Sequence, residues 1–328
     1  MKSVLVALAS LAVAGALAAA ARADGLPVVG VDVGATGVAG ASSDRFVALR
    51  ARGDTLVARV RRSGGQVLAS RVVPGPFTIP AVAYDGSAAG LSADGATLVL
   101  IRPRVRFPQR ETVLAVFDAE RLRVREVVTL RGDFSFDALS PAGTKLYLVQ
   151  YLSAKDPTRY AVRAYDLRAG RLLRAPVIDP TEPEEDMGGY PITRATSPDG
   201  RWAYTLYDRP GKEPFIHALD TVGVTARCID LDELAGRQDL YDLRLDAGAG
   251  GGTLAVRSGD EALAVVNTET FAVSEPAEPA ARAARPASQA DGGGLPWPLL
   301  AAPLAGVALA LTAVVTLRVR GTARRRPV

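Results

Sequence analysis

A phrase built on serine, a small residue and glycine recurs along the chain. It reads LSADGATLVLI from Leu91, LSPAGTKLYLVQY from Leu139, TSPDGRWAYTLY from Thr196 and, degraded, LDAGAGGGTLAV from Leu245. A fainter copy, ASSDRFVAL, begins at Ala41. With Ser43, Ala93, Pro141, Pro198 and Ala247 as equivalent positions, the spacings are 50, 48, 57 and 49 residues. A period of this size marks units that cannot bury their apolar faces alone and must stack on one another.

After each tight turn comes an apolar run, a variable polar stretch, a second run ending near Asp or Asn, and a third run. TVLAVFDAERLRVREVVTL and YAVRAYDLRAGRLLRAPVI are two examples. The runs are short, partly alternating and rich in Val, Leu, Tyr and Phe, which suits strands rather than helices. A further strand is expected before each serine, as in Phe134 to Leu139 and Ile192 to Thr196. Four antiparallel strands per repeat make the blade of a β-propeller, an all-β fold. Five blades are predicted, over Val28–Val73, Phe77–Leu130, Phe134–Ile178, Ile192–Leu231 and Leu240–Val273, or six if the boundaries shift by several residues. The ring is expected to close, because an open one leaves bare apolar faces and unpaired strand edges. Val28–Val33 also fits as a closing strand of the last blade.

The phrases LSPAGTKLYLV with YAVRAYDLRAGRLL, and TSPDGRWAYTLY with FIHALDT, resemble repeat units of the YncE-like and TolB-like β-propellers. The resemblance covers most of residues 28 to 275 and implies the fold. That superfamily includes binding platforms, lyases, lactonases and quinoproteins, so the fold does not choose a function.

Both ends read as membrane features. Residues 1–23 carry Lys2, an apolar run from Val4 to Ala20 and the small-x-small pattern Ala21, Arg22, Ala23, which reads as a signal peptide cleaved after Ala23. An uncleaved anchor helix is the competing reading. Trp297 to Leu317 is free of charge and long enough to cross about 30 Å of hydrocarbon, so 295–317 is read as a transmembrane helix. Five arginines follow it, and the positive-inside rule puts the tail, 318–328, in the cytoplasm and residues 24–274 outside. A sortase signal is excluded by Leu295, Pro296, Trp297, Pro298 and Leu299, which lack the required threonine. Residues 275–294, rich in Pro, Ala and Gly, read as a flexible linker.

The formal net charge is +4. Seven positive charges and no acid lie in the two end segments, and removing them leaves −3 for residues 24 to 294. The folded middle therefore has no excess positive charge with which to hold a nucleic acid backbone. The stretch VVGVDVGATGVAG, Val28 to Gly40, looks like a kinase phosphate loop, but no second phosphate motif or adenosine motif follows, and glycine supplies turns for its own reasons.

His217 is the only histidine, which excludes a multi-histidine metal centre and leaves any Ser-His-Asp triad dependent on this residue. It alternates with Phe215 and Leu219 in FIHALD, as a packed strand residue would. Cys228 is the only cysteine, read as a small buried hydrophobe, with a reactive or intermolecular thiol as the alternative. Glu182, Glu184, Glu185 and Asp186 form an acidic loop between the third and fourth blades, solvated or an ion or partner site. Arg102, Arg104, Arg106 and Arg110 form a basic loop in the second blade, either a solvated hairpin or a site for an anionic glycan or lipid headgroup. Trp202 and Trp297 are too few for the repeated tryptophan motif of a quinone-dependent dehydrogenase. No catalytic, cofactor-binding or metal residue is assigned. The expected function is an extracytoplasmic interaction module for a protein, cell-wall or small-molecule partner. The competing class is a propeller hydrolase or lyase acting on a lactone or glycan.

Overall fold

The computed structural model describes residues 37–40, 43–183 and 188–276. The signal peptide (1–23), Val28–Val33, the membrane segment (295–317), the tail (318–328), most of the linker, and Glu184, Glu185 and Asp186 lie outside the described residues. Among the described residues no helix is long and apolar enough to cross a membrane.

The described residues fold into five antiparallel sheets, each made of strands in chain order. The first contains β1 (Val38–Ala39), β2 (Asp44–Ala51), β3 (Asp54–Arg61) and β4 (Val67–Val73), and the second β5 (Thr97–Ile101), β6 (Glu111–Asp118) and β7 (Arg123–Arg131). The third contains β8 (Phe134–Leu139), β9 (Lys145–Tyr151), β10 (Tyr160–Asp166) and β11 (Arg171–Leu172). The fourth contains β12 (Tyr190–Thr196), β13 (Trp202–Asp208), β14 (Phe215–Asp220) and β15 (Thr225–Asp230), and the fifth β16 (Leu243–Ala247), β17 (Thr253–Ser258), β18 (Glu261–Asn267) and β19 (Val273–Ser274). Single 3-10 turns, Asp232–Leu234 and Leu240–Asp242, link the last two sheets.

Burial explains why these sheets stack. TLVLI in β5 is buried at every position and β6 is buried from Thr112 to Phe117, so neither strand has a solvent face. Continuous apolar runs of this kind require a neighbour on both sides. Leu98, Leu100, Val113, Ala115 and Phe117 pack toward Phe46, Ala48 and Val57 of the first sheet, whereas Val99, Ile101, Leu114 and Val116 pack toward Phe136, Leu146 and Leu148 of the third. Ala138, Tyr147 and Val162 meet Ala203 and Leu219, and Ile192, Tyr204 and Ile216 meet Leu245, Leu254 and Val256. Outer strands such as β7 alternate between exposed and part-buried positions, as expected of a rim. The far face of the first sheet carries a separate small cluster of Val47, Ala58 and Val60.

The recurring serine phrase is the turn between the first and second strands of a blade. Ser92, Ser140 and Ser197 accept the amides of Thr97, Lys145 and Trp202 at 2.9, 3.0 and 2.8 Å. The hydroxyls of Ser92 and Ser197 also donate to Asp94 and Asp199. The glycine closes each turn with positive φ, +73° at Gly200, a region that a Cβ disfavours. The Asp or Asn that recurs before the outer strand of the second to fifth sheets has a similar use. Asp118, Asp166, Asp220 and Asn267 accept amides two or three residues onward, forming turns that the side chain itself closes.

The second blade departs from the four-strand expectation. Its inner position holds two isolated bridges to β5, Thr78↔Ile101 and Leu91↔Leu98, and the residues between them, 79–89, loop out of the sheet. The sequence FTIPAVAYDGSAAG breaks any ladder with Pro80 and with two positive-φ glycines, Gly86 and Gly90. The segment crosses instead to the fourth sheet. The Tyr84 amide donates to Pro191 O at 2.9 Å, the Asp85 amide to Ile192 O at 3.1 Å, and Thr193 Oγ1 to Asp85 Oδ2 at 2.7 Å. In the fifth sheet β19 occupies the outer position.

Candidate functional site

Because every sheet runs up and down, its loops fall at two ends. The serine turns and the Asp/Asn turns share one end. The loops between second and third strands, and the connections between sheets, share the other.

Side chains and turns narrow the axis at both ends. At the serine-turn end Asp94 N donates to Pro141 O at 3.1 Å, and Gly200 lies against Ala93 and Pro141, so turns from the second, third and fourth sheets meet. At the other end the crossing segment covers the axis. Tyr84 packs edge-on against Tyr190 and Tyr241, with ring centroids 6.3 and 5.9 Å apart, and Asp85 is 3.8 Å from the Arg244 guanidinium. Between these covers remains a cavity of about 20 Å³ lined by Ser135, Asp137, Tyr151, Tyr160 and Tyr207. That is room for about one water molecule.

The polar groups near the axis are tied to one another. Arg194 is ion-paired with Asp137, both side chains buried, and donates to Thr205 Oγ1 at 2.6 Å and to Asp137 O at 3.0 Å. Ser135 Oγ and Tyr151 OH are 2.8 Å apart. Burial pushes the Tyr151 hydroxyl up to about 12. His217 is 2% exposed in β14, edge-on to Tyr207 at 6.4 Å. Burial pushes the imidazole down to about 4, and Arg194 adds to that against the opposing charge of Asp137. Its Nε2 has no hydrogen-bond partner and no solvent access, so it is a packed side chain with no route to a substrate.

Of the acidic loop, only Glu182 is described. Among the described residues, Asp179, Glu182 and Cys228 form the one group of three metal-ligating side chains within 4.8 Å of one another. Asp179 is already engaged. Oδ1 accepts Thr181 N, Thr181 Oγ1 and Arg227 NH1 at 2.8, 2.6 and 3.1 Å, and Oδ2 accepts Cys228 N at 2.8 Å. Burial raises its pKa, but these hydrogen bonds and the Arg227 charge outweigh it and hold the carboxyl below the usual range. The carboxylate is a brace between the third-to-fourth connection and β15.

The basic loop splits into two kinds of arginine. Arg104 is buried, donating through Nε to Asp133 Oδ1 and Oδ2 at 3.0 and 3.1 Å. Its guanidinium lies 4.8 Å over the Tyr151 ring and 5.5 Å over Phe107. Gln109 N donates to Asp133 Oδ2 at 2.9 Å, and Thr112 Oγ1 joins Gln109, Gly132 and Phe134. Arg102, Arg106 and Arg110 are exposed. With Arg50 from the end of β2 they line a cleft of about 550 Å³ between the first two sheets, where Asp54 and Glu111 are the acids and Val105 stands 92% exposed. A second cleft, about 500 Å³, lies between the same sheets at the serine-turn end, where Asp44, Asp94, Asp118 and Glu120 face Arg59, Arg121 and Arg125. Sequence reasoning found the arginine loop but not Asp133, Asp137, Arg194 or the Tyr84 segment, whose partners lie in other blades.

The stacked antiparallel sheets are arranged as the blades of a β-propeller, and the solved structures to which the chain is similar include TolB. TolB from Acinetobacter baumannii is 15% identical over 70% of this chain and 51% of its own, with a TM-score of 0.39. This chain thus spans about half the length of that protein. A putative TolB from Agrobacterium tumefaciens is 16% identical over 70% of this chain and 76% of its own, with a TM-score of 0.39. The Cps50 (Swd1) propeller domain from Myceliophteria thermophila is 12% identical over 70% of this chain and 63% of its own, with a TM-score of 0.41. No protein-family model matches the chain, and no curated protein does. These likenesses concern shape alone.

Proposed function

We propose that the chain is a membrane-anchored, extracytoplasmic β-propeller that works as a binding module for a protein, cell-wall or small-molecule partner. In this reading residues 1–23 are an export signal, 295–317 cross the bilayer, and 318–328 remain in the cytoplasm. The observation that carries the binding reading is the narrow axis, whose cavity has room for about one water molecule. A propeller enzyme acting in its channel needs ionisable groups converging on open space, whereas here Asp137, Arg194 and His217 are buried against one another or against aromatic rings. The exposed, charged side chains that remain lie in clefts at the rim, where recognition can occur without chemistry.

The test uses the full chain in its membrane. N-terminal sequencing is expected to begin at Asp24, detergent but not alkaline carbonate is expected to release the protein, and external protease is expected to remove the propeller from intact cells. The purified protein is expected to leave lactones and glycans unchanged. Turnover of either at a rate abolished by His217→Gln would replace the binding module with an enzyme.

A further inference from the structure

Several arginines of this propeller have an acid partner. Arg104 has Asp133, Arg121 has Asp118, Arg194 has Asp137, Arg201 has Asp220 and Arg227 has Asp179. Arg50, Arg102, Arg106 and Arg110 have no ion pair among the described residues, yet they come together on one cleft from two neighbouring sheets. Four like charges in one recess repel each other, and the two acids of the cleft offset only part of this. One of these, Asp54, is also held by the Gly75 amide at 3.1 Å.

The loop that carries three of the four is rigid for reasons independent of any ligand. Arg104 anchors it through Asp133 and two aromatic faces, Gln109 pins its far side to the same carboxylate, and the Phe107 ring meets Tyr151 edge-on at 5.4 Å. Arg102 is steadied over the Phe77 ring at 5.9 Å. Cations carried on an anchored loop lose less freedom on binding than cations on a free one. Guanidinium groups present planar forks that match the oxygens of phosphate or carboxylate.

Building on the binding-module reading, we propose that this cleft receives a ligand bearing two or more phosphoryl groups. A phosphoryl group brings up to two negative charges and three acceptor oxygens. It can therefore outweigh Asp54 and Glu111, where a lone carboxylate cannot. The cleft volume of about 550 Å³ has room for several such groups. A soluble polyphosphate, a phosphodiester polymer of the cell wall and a patch of phospholipid headgroups share this chemistry.

The experiment is a calorimetric titration of the full chain in neutral detergent with inorganic tripolyphosphate at low ionic strength. The arginines of the tail are common to all variants and cancel in the comparison. The double variant Arg106→Gln/Arg110→Gln is expected to bind at least about tenfold more weakly, with an unchanged unfolding midpoint because neither side chain makes a hydrogen bond within the fold. Arg121→Gln/Arg125→Gln, in the cleft at the opposite end, is expected to stay within about twofold of the parent. Vesicles of phosphatidylglycerol, compared with phosphatidylcholine, separate the sources. Floating with the former, and losing this in the cleft variant, supports a headgroup ligand, whereas tripolyphosphate binding without vesicle binding supports a soluble or wall-borne one. Three results overturn the proposal: no heat with tripolyphosphate, an equal loss in both double variants, or equal affinity for hexagalacturonate, which has carboxylates alone. Lactone or glycan turnover would instead remove the binding-module reading, and it is measured separately.

Discussion

Gly200→Ala tests whether the blades converge on the axis as described. The new methyl would have two separate effects. Gly200 has φ of +73°, where a Cβ costs about 1 to 2 kcal/mol. The methyl would also overlap Ala93 Cβ, with Ala93 Cα at 3.7 Å and Pro141 Cγ at 3.9 Å; overpacking of this kind costs roughly 1 to 3 kcal/mol. Gly95→Ala isolates the first effect, since its φ is +71° and nothing lies within 4 Å of its added Cβ. Ala93→Gly isolates the second by removing the atom struck. Urea unfolding of the five chains (parent, the three single variants and the Ala93→Gly/Gly200→Ala double) in mild detergent, followed by the fluorescence of Trp202 against Tyr204 and Phe271, gives the energies. Gly200→Ala is expected to lose roughly 2 to 5 kcal/mol and Gly95→Ala about 1 to 2. Adding Ala93→Gly to Gly200→Ala is expected to recover the overpacking part, a coupling of about 1 to 3 kcal/mol. Residues 93 and 200 belong to the second and fourth sheets, so additivity within about 0.5 kcal/mol would refute the meeting of their turns at the axis.

Arg104→Gln leaves Asp133 buried without its cation. Removing one partner of a buried pair costs about 3 to 5 kcal/mol, so the unfolding midpoint should fall and a protease should cut within 102–110; an uncut loop would mean that Arg104 does not anchor it. His217 makes stability depend on pH, and the sign follows from its depressed folded pKa. The unfolded chain takes up a proton near 6.5 but the native one only near 4. The stability that His217 contributes is therefore whole above about 6.5 and is lost as the pH falls toward 4. Moving from pH 7.5 to 4.5 should cost the parent about 2 to 3 kcal/mol more than His217→Gln; equal losses would show that the imidazole is reached by solvent.

Local chemistry explains what the sequence revealed. Phe134 to Leu139 was predicted as a strand and is β8, and Ile192 to Thr196 lies within β12, because alternation and β-branched residues act over a few neighbours. The serine phrase and the Asp/Asn positions were legible because each closes a turn within about five residues. The interruption of the second blade's inner strand was not, although Pro80, Gly86 and Gly90 weaken it locally, since the loop's destination at Pro191 and Ile192 is more than a hundred residues away. The four arginines of the basic loop were alike in sequence. What separates Arg104 from Arg102, Arg106 and Arg110 is Asp133, which enters from the next sheet connection, and no local period records that.

The same connection links the fold to the proposed site. Asp133 follows Gly132, whose amide donates to Arg110 O at 2.9 Å, and precedes Phe134, the first residue of the inner strand of the third blade. The residue that holds the arginine loop is thus fixed by the stacking of the second sheet on the third, and Tyr151, which lies under Arg104, lines the small axial cavity. The axis is lined by packed side chains, and the loop is braced against one of them through Arg104. A propeller with an open channel would have less support to give a loop at its rim. Narrowing the centre and pre-forming a cationic cleft at the edge are in this chain two results of one packing arrangement.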